Sequence, residues 1–200
     1  MTIAPRRAAE AARELDGRAI SDIHRTSRDI AEPPTLLLTL ATLIPCDPAA
    51  LAATPIELID RKNGVLRVPQ DDRRFAEVAM GNAAAYAVEA ATAGRTCGPL
   101  VMDVCGRALR VDDDTLGYAR ELLLFDALLP IDLCWTFSSL REGVVAGMLD
   151  ADAPYAAVLG QAGFGAPPGV DRRWHLAQQR AVSNWWAFRI GGAPDRTWPA

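Results

Sequence analysis

Two charged side chains, Arg120 and Glu121, stand near the start of a leucine-rich run, YARELLLFDALL, at residues 118–129. A guanidinium group presents a planar fork of donors that matches a carboxylate, so an arginine on a cavity wall is suited to binding an acid. Water solvates a cation strongly, and a buried arginine therefore requires a partner. Two alternatives follow for a strand that begins at Arg120. The side chain binds a ligand carboxylate in a cavity, or it reaches solvent or an aspartate at the strand end.

The next segment, residues 130–140, alternates between large apolar side chains and small polar ones. Alternation with a period of two is typical of a strand whose two faces have different surroundings. The polar side chains are small for a solvent-facing strand, which favours a pocket wall, with a plain solvent face as the alternative. These polar positions are Asp132, Cys134, Thr136 and Ser138.

Near the C-terminus, the segment QQRAVSNWWAFRIGG places Trp185 and Trp186 side by side. Adjacent residues on a strand point to opposite faces, so one tryptophan is expected in the core. The other, taken to be Trp185, either closes a ligand site or an oligomer contact, or it simply packs. His175 is a candidate general base, with a structural role beside Trp174 as the alternative.

The spacing of apolar residues indicates which elements position these side chains. An Asn-Gly pair at residues 63–64 is a strong turn signal and predicts a hairpin over 56–69, with a loop as the alternative. The order of helices, strands, helices and a last strand predicts an α+β fold, with an antiparallel sheet and helices packed on one face. Helices are predicted over 5–30, 35–45 and 71–94, and strands over 99–111, 119–129, 130–140 and 183–190.

Composition excludes several classes of protein. The chain has 200 residues, is 50% hydrophobic and carries a net charge of −4 without a cluster of Lys and Arg, so no nucleic-acid partner is expected. The apolar runs are shorter than the roughly 18 residues of a membrane span, and no secretory signal is visible. Two histidines and four scattered cysteines predict no metal and no cofactor. We expect a cytoplasmic protein with reduced thiols, either monomeric or dimeric.

Four segments within roughly residues 75–195 resemble the chorismate pyruvate-lyase family, whose fold is shared by effector-binding domains of sugar-responsive bacterial repressors. The segments are GNAAAYAVEAATAGRTCGPLVMDV, YARELLLF, LREGVVAGMLDADAPYAAVL and QRAVSNWWAFRIGGAP. The resemblance implies a chorismate lyase-like domain over residues 71–200, preceded by a mostly helical extension over residues 1–70.

The resemblance also implies roles for individual residues. Arg120 matches the arginine that binds the substrate carboxylate, and Tyr155 and Ala84 fall at ligand-contacting positions. Arg180 or Arg189 would serve a second carboxylate. The family's glutamate on a final strand has no counterpart after Asp195. The proton transfer would then fall to Glu121, Asp132 or His175, or be absent.

The sequence thus predicts a carbon–oxygen lyase that acts on chorismate or a related cyclic or aromatic carboxylate. We expect such an enzyme to belong to specialised metabolism. The missing glutamate favours an alternative, a non-catalytic protein of the same fold that binds such a ligand. A third class is an interaction partner that docks through the Ala-rich amphipathic segment at residues 5–30.

Overall fold

The computed structural model describes residues 15–70, 74–127 and 135–192. This part of the chain forms eight α-helices and one three-stranded antiparallel sheet, which confirms the predicted α+β class. The helices are α1 (Gly17–Ser27), α2 (Pro33–Leu43), α3 (Pro48–Ala53), α4 (Asn82–Thr92), α5 (Asp113–Ala127), α6 (Phe137–Leu149), α7 (Tyr155–Gln161) and α8 (Arg172–Gly192). The strands are β1 (Ile59–Asp60), β2 (Val65–Pro69) and β3 (Phe75–Ala79).

The predicted hairpin is confirmed, and it forms the first half of the sheet. Asp60 pairs with Val65, and the chain turns at Gly64, whose φ of +59° lies in the left-handed region that glycine adopts without strain. β3 then pairs with β2 in a register that places Val65 opposite Ala79. The expected domain boundary after residue 70 therefore falls within a β-hairpin, and one cluster of buried side chains includes residues from both sides of it.

Helix α2 is the centre of the molecule. It contacts α1, α4, α5, α6 and α8, and its side chains from Leu37 to Leu43 are all buried. A helix that is apolar around most of its circumference is typical of a core position. The three threonines of this helix, Thr35, Thr39 and Thr42, are also buried, and their hydroxyl groups all donate hydrogen bonds within the protein.

The strand predicted from Arg120 onward is wrong, because this segment lies in α5. Its buried side chains, Leu116, Ala119 and Leu123, recur every three or four residues, which is the period of a helix. Alanine, arginine, glutamate and leucine are also among the strongest helix formers, and they dominate this stretch.

The strand predicted over residues 130–140 is not found in its described part. Thr136 caps the N-terminus of α6, and it exchanges hydrogen bonds with Ser139 in a capping box. Asp132 and Cys134 lie outside the described residues.

The strand predicted near residues 183–190 is also wrong, because α8 continues through it. Its buried side chains again follow helical spacing: His175, Gln179, Val182, Trp186 and Ile190. Two of the four segments that resemble the chorismate lyases, YARELLLF and QRAVSNWWAFRIGG, are thus helical. The described structure does not confirm a chorismate lyase-like sheet.

Two further segments differ from expectation. The first part of the helix predicted over 71–94 is strand β3, and Gly81 separates it from α4, which matches the second part. Residues 99–111 form an irregular connection with two isolated bridges, one between Met102 and Ala108 and one between Pro99 and Pro55. Within the described ranges, no helix combines the length and hydrophobicity needed to cross a membrane.

Candidate functional site

The structure places Arg120 on helix α5 rather than on a sheet. Its side chain is half-buried, and its guanidinium carbon lies 5.1 Å from the ring centroid of Trp135. This is the geometry of a cation–π contact, which stabilises a desolvated arginine inside the protein. Glu121, the next residue, is exposed. Arg120 lines none of the four cavities described below, and a carboxylate site at this residue stays a prediction.

His175 is buried in the first turns of α8, with only 2% of its surface exposed. Burial lowers the pKa of His175 below its ordinary value. Neither ring nitrogen has a hydrogen-bond partner among the residues that the structure describes. His175 lines none of the four cavities described here, and its role as a general base stays a prediction beside the structural alternative.

The remaining predicted site residues are spread over several helices. Tyr155 is exposed in the first turn of α7, whereas Ala84 is buried in α4. Thr136 is a helix cap that also lines a shallow cavity beside Asp112. Arg180 donates a hydrogen bond to the main-chain oxygen of Asn63. The described structure does not bring these residues together in one site.

Trp185 and Trp186 lie on neighbouring faces of α8, with ring centroids 6.2 Å apart. Trp186 is completely buried and Trp185 is partly exposed, which confirms the prediction that one of the pair belongs to the core. The guanidinium of Arg189 lies 5.7 Å from the ring centroid of Trp185. Arg189 therefore packs on tryptophan in this structure.

A different group of residues encloses a cleft of about 600 Å³ between helices α1, α2 and α4. We call it the α1–α2–α4 cleft. Apolar side chains make up most of its wall, and a few polar groups converge on it, which is the usual composition of a small-molecule site. The lining residues are His24, Arg28, Asp29, Leu36, Thr39, Leu43, Asn82, Ala83, Tyr86, Ala87 and Ala90.

His24 and Thr39 are buried polar residues of this cleft, each with 6% of its surface exposed. The Nδ1 atom of His24 lies 2.9 Å from the hydroxyl oxygen of Thr42 on α2. Burial, with a further contribution from the positive charge of Arg28, lowers the pKa of His24 to about 4. The nearby carboxylate of Asp29 acts in the opposite direction but does not compensate. His24 is therefore neutral at pH 7.

Arg28 and Asp29 carry the charges of the cleft. Arg28 lies one helical turn after His24, so the two side chains share a face of α1. The Nε atom of Arg28 is 3.5 Å from a carboxylate oxygen of Asp29, and both side chains are more than half exposed. An exposed pair of neighbouring residues contributes little to stability. The guanidinium group can therefore exchange this contact for a ligand carboxylate at small cost.

Tyr86 forms the rim of the cleft, with 80% of its surface exposed. It lies on α4, whose first turn is fixed to α8: the main-chain N–H of Asn82 donates to Asn184, and that of Gly81 donates to Ser183. A tyrosine on a firmly held helix offers an aromatic face and a hydroxyl group at the entrance.

The sequence prediction missed this site. Its signal was present in α2, where Thr35, Thr39 and Thr42 recur every three or four residues of an otherwise apolar helix. Such a row of hydroxyl groups indicates a polar partner on the facing helix. The partner helix carries His24 and Arg28, four residues apart, but nothing in the sequence shows that these two helices are in contact.

The other three cavities are smaller or more open. One of about 510 Å³ and one of about 460 Å³ share the exposed ring of Phe164, over which the guanidinium of Arg141 lies at 5.5 Å. Cys46 lies beside Gly163, the residue before Phe164, and burial raises the pKa of its thiol to about 12. No group of three or more His, Cys, Asp or Glu side chains that could hold a metal occurs in the described ranges.

The chain matches no model of a known protein family, and a comparison with characterised proteins finds no match. The assignment of a function therefore depends on the side chains and cavities described above.

Proposed function

We propose that the protein binds a small aromatic or cyclic carboxylate in the α1–α2–α4 cleft. The cavity of about 600 Å³ is of a size suited to such a ligand. Leu36, Leu43 and Ala87 offer apolar contacts to its ring, and Tyr86 offers an aromatic face at the rim. Arg28 is the group that can bind the carboxylate, through paired N–H donors.

The observation that carries this proposal is that His24 is buried and neutral on the wall of the cleft. A buried, neutral imidazole on the wall of a cavity presents polar atoms without adding charge, and such groups orient a ligand within an apolar pocket. Arg28 lies one turn away on the same helix face, so one ligand can contact both side chains.

Asp29 limits the affinity of the site for anions. Its carboxylate lines the cleft beside Arg28 and repels a second carboxylate. The ligand must therefore displace Asp29 from Arg28, and we expect a moderate affinity rather than a very tight one. Arg28 and Asp29 are both exposed, so the competition between Asp29 and the ligand carboxylate for Arg28 will depend on the salt concentration.

Chorismate lyase-type elimination in the same cleft is the catalytic form of this proposal. Releasing pyruvate from chorismate leaves an aromatic hydroxybenzoate and needs a proton donor or acceptor near the ether oxygen. His24, Asp29 and Tyr86 are the cleft residues that can exchange a proton. A pKa of about 4 makes His24 a weak base at pH 7, which favours binding over catalysis.

Isothermal titration of the purified protein with 4-hydroxybenzoate tests binding. Arg28→Gln should weaken the affinity by about 1.5–3 kcal/mol, the range for a hydrogen bond to a charged group. Arg25→Gln is the matched control, because Arg25 is an exposed arginine on α1 that pairs with Asp22 and does not line the cleft. An absence of binding at millimolar ligand, or equal losses in both variants, would contradict the proposal.

A coupled assay for pyruvate after addition of chorismate separates the two forms of the proposal. Binding of 4-hydroxybenzoate without pyruvate release supports the non-catalytic form, whereas release that stops in His24→Asn supports the lyase. Arg120→Lys keeps the charge on α5, outside the cleft, and should change neither result.

The distribution of charge favours a second candidate function, binding of a nucleic-acid phosphate backbone. The sheet with its turns and the first half of α8 carry seven basic side chains on a protein of net charge −4, and we call this group the basic face. Arg172 and Arg67 both contact Glu77 of β3, and Arg180 contacts the β1–β2 turn, so the strands and α8 lie side by side. Glu77 and Glu89 pair with three of the seven cations and partly neutralise them. The basic side chains are Arg61, Lys62, Arg67, Arg74, Arg172, Arg173 and Arg180.

The sequence showed no basic cluster because these residues come from two segments about a hundred positions apart. Fluorescence anisotropy with a labelled DNA duplex tests this candidate. Binding should weaken steeply between 50 and 200 mM salt, and Arg173→Gln should lower both the affinity and the salt slope. Unchanged anisotropy at 50 mM salt would contradict binding of nucleic acid by this face.

A further inference from the structure

The hydrogen bonds around His24 define which of its nitrogens carries the proton. The hydroxyl oxygen of Thr42 lies 2.8 Å from the main-chain oxygen of Thr39, which can only accept, so we assign the single hydroxyl proton to this contact. The same hydroxyl oxygen lies 2.9 Å from Nδ1 of His24, where it then acts as the acceptor. With this assignment, Nδ1 of His24 is the donor and bears the hydrogen.

The other ring nitrogen then has the opposite character. A neutral imidazole has one N–H and one lone pair, so Nε2 of His24 is an acceptor. No residue in the described part of the chain donates a hydrogen bond to Nε2, and this atom is not among the fully buried polar atoms that lack a partner. His24 lines the cleft and its Nδ1 is engaged with Thr42, so Nε2 is the ring nitrogen left to contact a ligand.

We infer that the α1–α2–α4 cleft selects carboxylates that also carry a hydroxyl group, whose proton is donated to Nε2 of His24. This inference rests on the proposed function and adds the ligand group that His24 recognises. Arg28 binds the acidic end of the ligand, and His24 binds the hydroxyl end, while Leu36, Leu43 and Ala87 contact the body between them.

The selection has a physical basis in desolvation. A ligand that fills the cleft removes water from Nε2, and a ligand without a donor leaves this nitrogen without a hydrogen bond. A site that accepts a hydrogen bond from a substrate hydroxyl discriminates strongly against an analogue that lacks it. A second acceptor opposite Nε2, such as an ether oxygen, is unfavourable for the same reason. We expect a preference of about tenfold or more for the hydroxylated ligand.

The tautomer can be tested without any ligand. Long-range ¹H–¹⁵N correlation spectra of the full chain distinguish a protonated Nδ1 from a protonated Nε2. His24 should show Nδ1 as the protonated nitrogen, and Thr42→Val, which removes the accepting hydroxyl, should abolish this preference. Thr92→Val is the matched control, because Thr92 is a buried helical threonine outside the cleft whose hydroxyl bonds to the main chain of Glu89.

The ligand preference is tested by titrating 4-hydroxybenzoate and 4-methoxybenzoate, in which a methyl group replaces the hydroxyl proton. The hydroxylated compound should bind about tenfold or more tightly to the natural chain and to Thr92→Val, and the ratio should fall towards one in Thr42→Val. Equal binding of both compounds would overturn the inference and leave the proposed function intact. Binding of neither would overturn both, and a protonated Nε2 in the spectra would overturn the inference alone.

Discussion

The indole Nε1 of Trp186 donates a hydrogen bond of 2.8 Å to the main-chain oxygen of Thr42. Thr42 lies in the last turn of α2, where main-chain oxygens lack partners within the helix. The completely buried indole supplies that partner. Because the side chain of Thr42 holds His24, one residue of α2 connects the core tryptophan of α8 to the cleft.

Replacing Trp186 by phenylalanine should therefore destabilise the protein. The variant leaves a buried carbonyl oxygen without its donor, which costs about 1–3 kcal/mol, and adds a cavity term. Urea unfolding at pH 7 measures the change in free energy. Trp174→Phe is the control, since Trp174 is exposed and should lose little. Equal losses in the two variants would show that the hydrogen bond to Thr42 does not stabilise the fold.

Close packing against the same indole explains a glycine on α6. A Cβ atom added at Gly147 would lie 2.8 Å from the Trp186 ring, which is closer than packed atoms approach. Gly147→Ala should destabilise by about 1–3 kcal/mol through overpacking, despite the gain in helix propensity. Gly117→Ala on α5 is the matched control, because a Cβ there meets no atom within 4 Å. That variant should gain about 0.5–1 kcal/mol, and thermal unfolding compares the two.

Part of this fold follows from local sequence. The Asn63-Gly64 turn, the helix after Gly81 and the separation of α6 from α7 near Pro154 all have short-range signals, and the structure has each of them. Turn residues and helix-breaking prolines act through their own backbone preferences, so they are visible without knowledge of the tertiary contacts.

The wrong strand predictions arose where a short apolar run fits both the period of a strand and the period of a helix. Over residues 120–125, charged and apolar side chains can be matched to a strand, and the helix becomes evident only over the longer span from Leu116 to Leu123. In α8, the adjacent tryptophans fit opposite faces of a strand, but a helix also separates the side chains of neighbouring residues, by about 100°. The prediction of Arg120 as a carboxylate site depended on that strand.

The cleft could not be predicted because its residues come from three separate helices. His24, Thr39 and Tyr86 come from different parts of the sequence, and only the packing of α1 and α4 against α2 brings them together. Each residue alone is unremarkable in the sequence. The basic face has the same origin, since Arg67 and Arg172 meet at Glu77 through the contact of α8 with β3.

The positive charge of Arg28 should have a measurable effect on the pKa of His24. Arg28 is the second cause, after burial, that lowers the pKa of His24, so Arg28→Gln should raise that pKa. An NMR titration that follows the imidazole C–H signals measures the shift. Arg25→Gln, on the same helix but paired with Asp22, should leave the pKa of His24 closer to its starting value. If both variants shift it equally, the effect comes from net charge rather than from the proximity of Arg28.

Acid should destabilise the protein through the same histidine. The pKa of His24 is about 4 in the folded state against 6.5 for the free side chain, so between these values the unfolded chain binds a proton that the folded chain does not. Stability is therefore lost as the pH falls from 6.5 to 4, by up to about 3 kcal/mol from this residue. His175, whose pKa is also lowered by burial, adds a loss of stability of the same sign.

Urea unfolding at several pH values measures the total loss of stability. His24→Asn keeps a donor to Thr42 but cannot titrate, so this variant should flatten the profile between pH 6.5 and 4. A variant with the slope of the natural chain would show that His24 is not a source of the acid sensitivity.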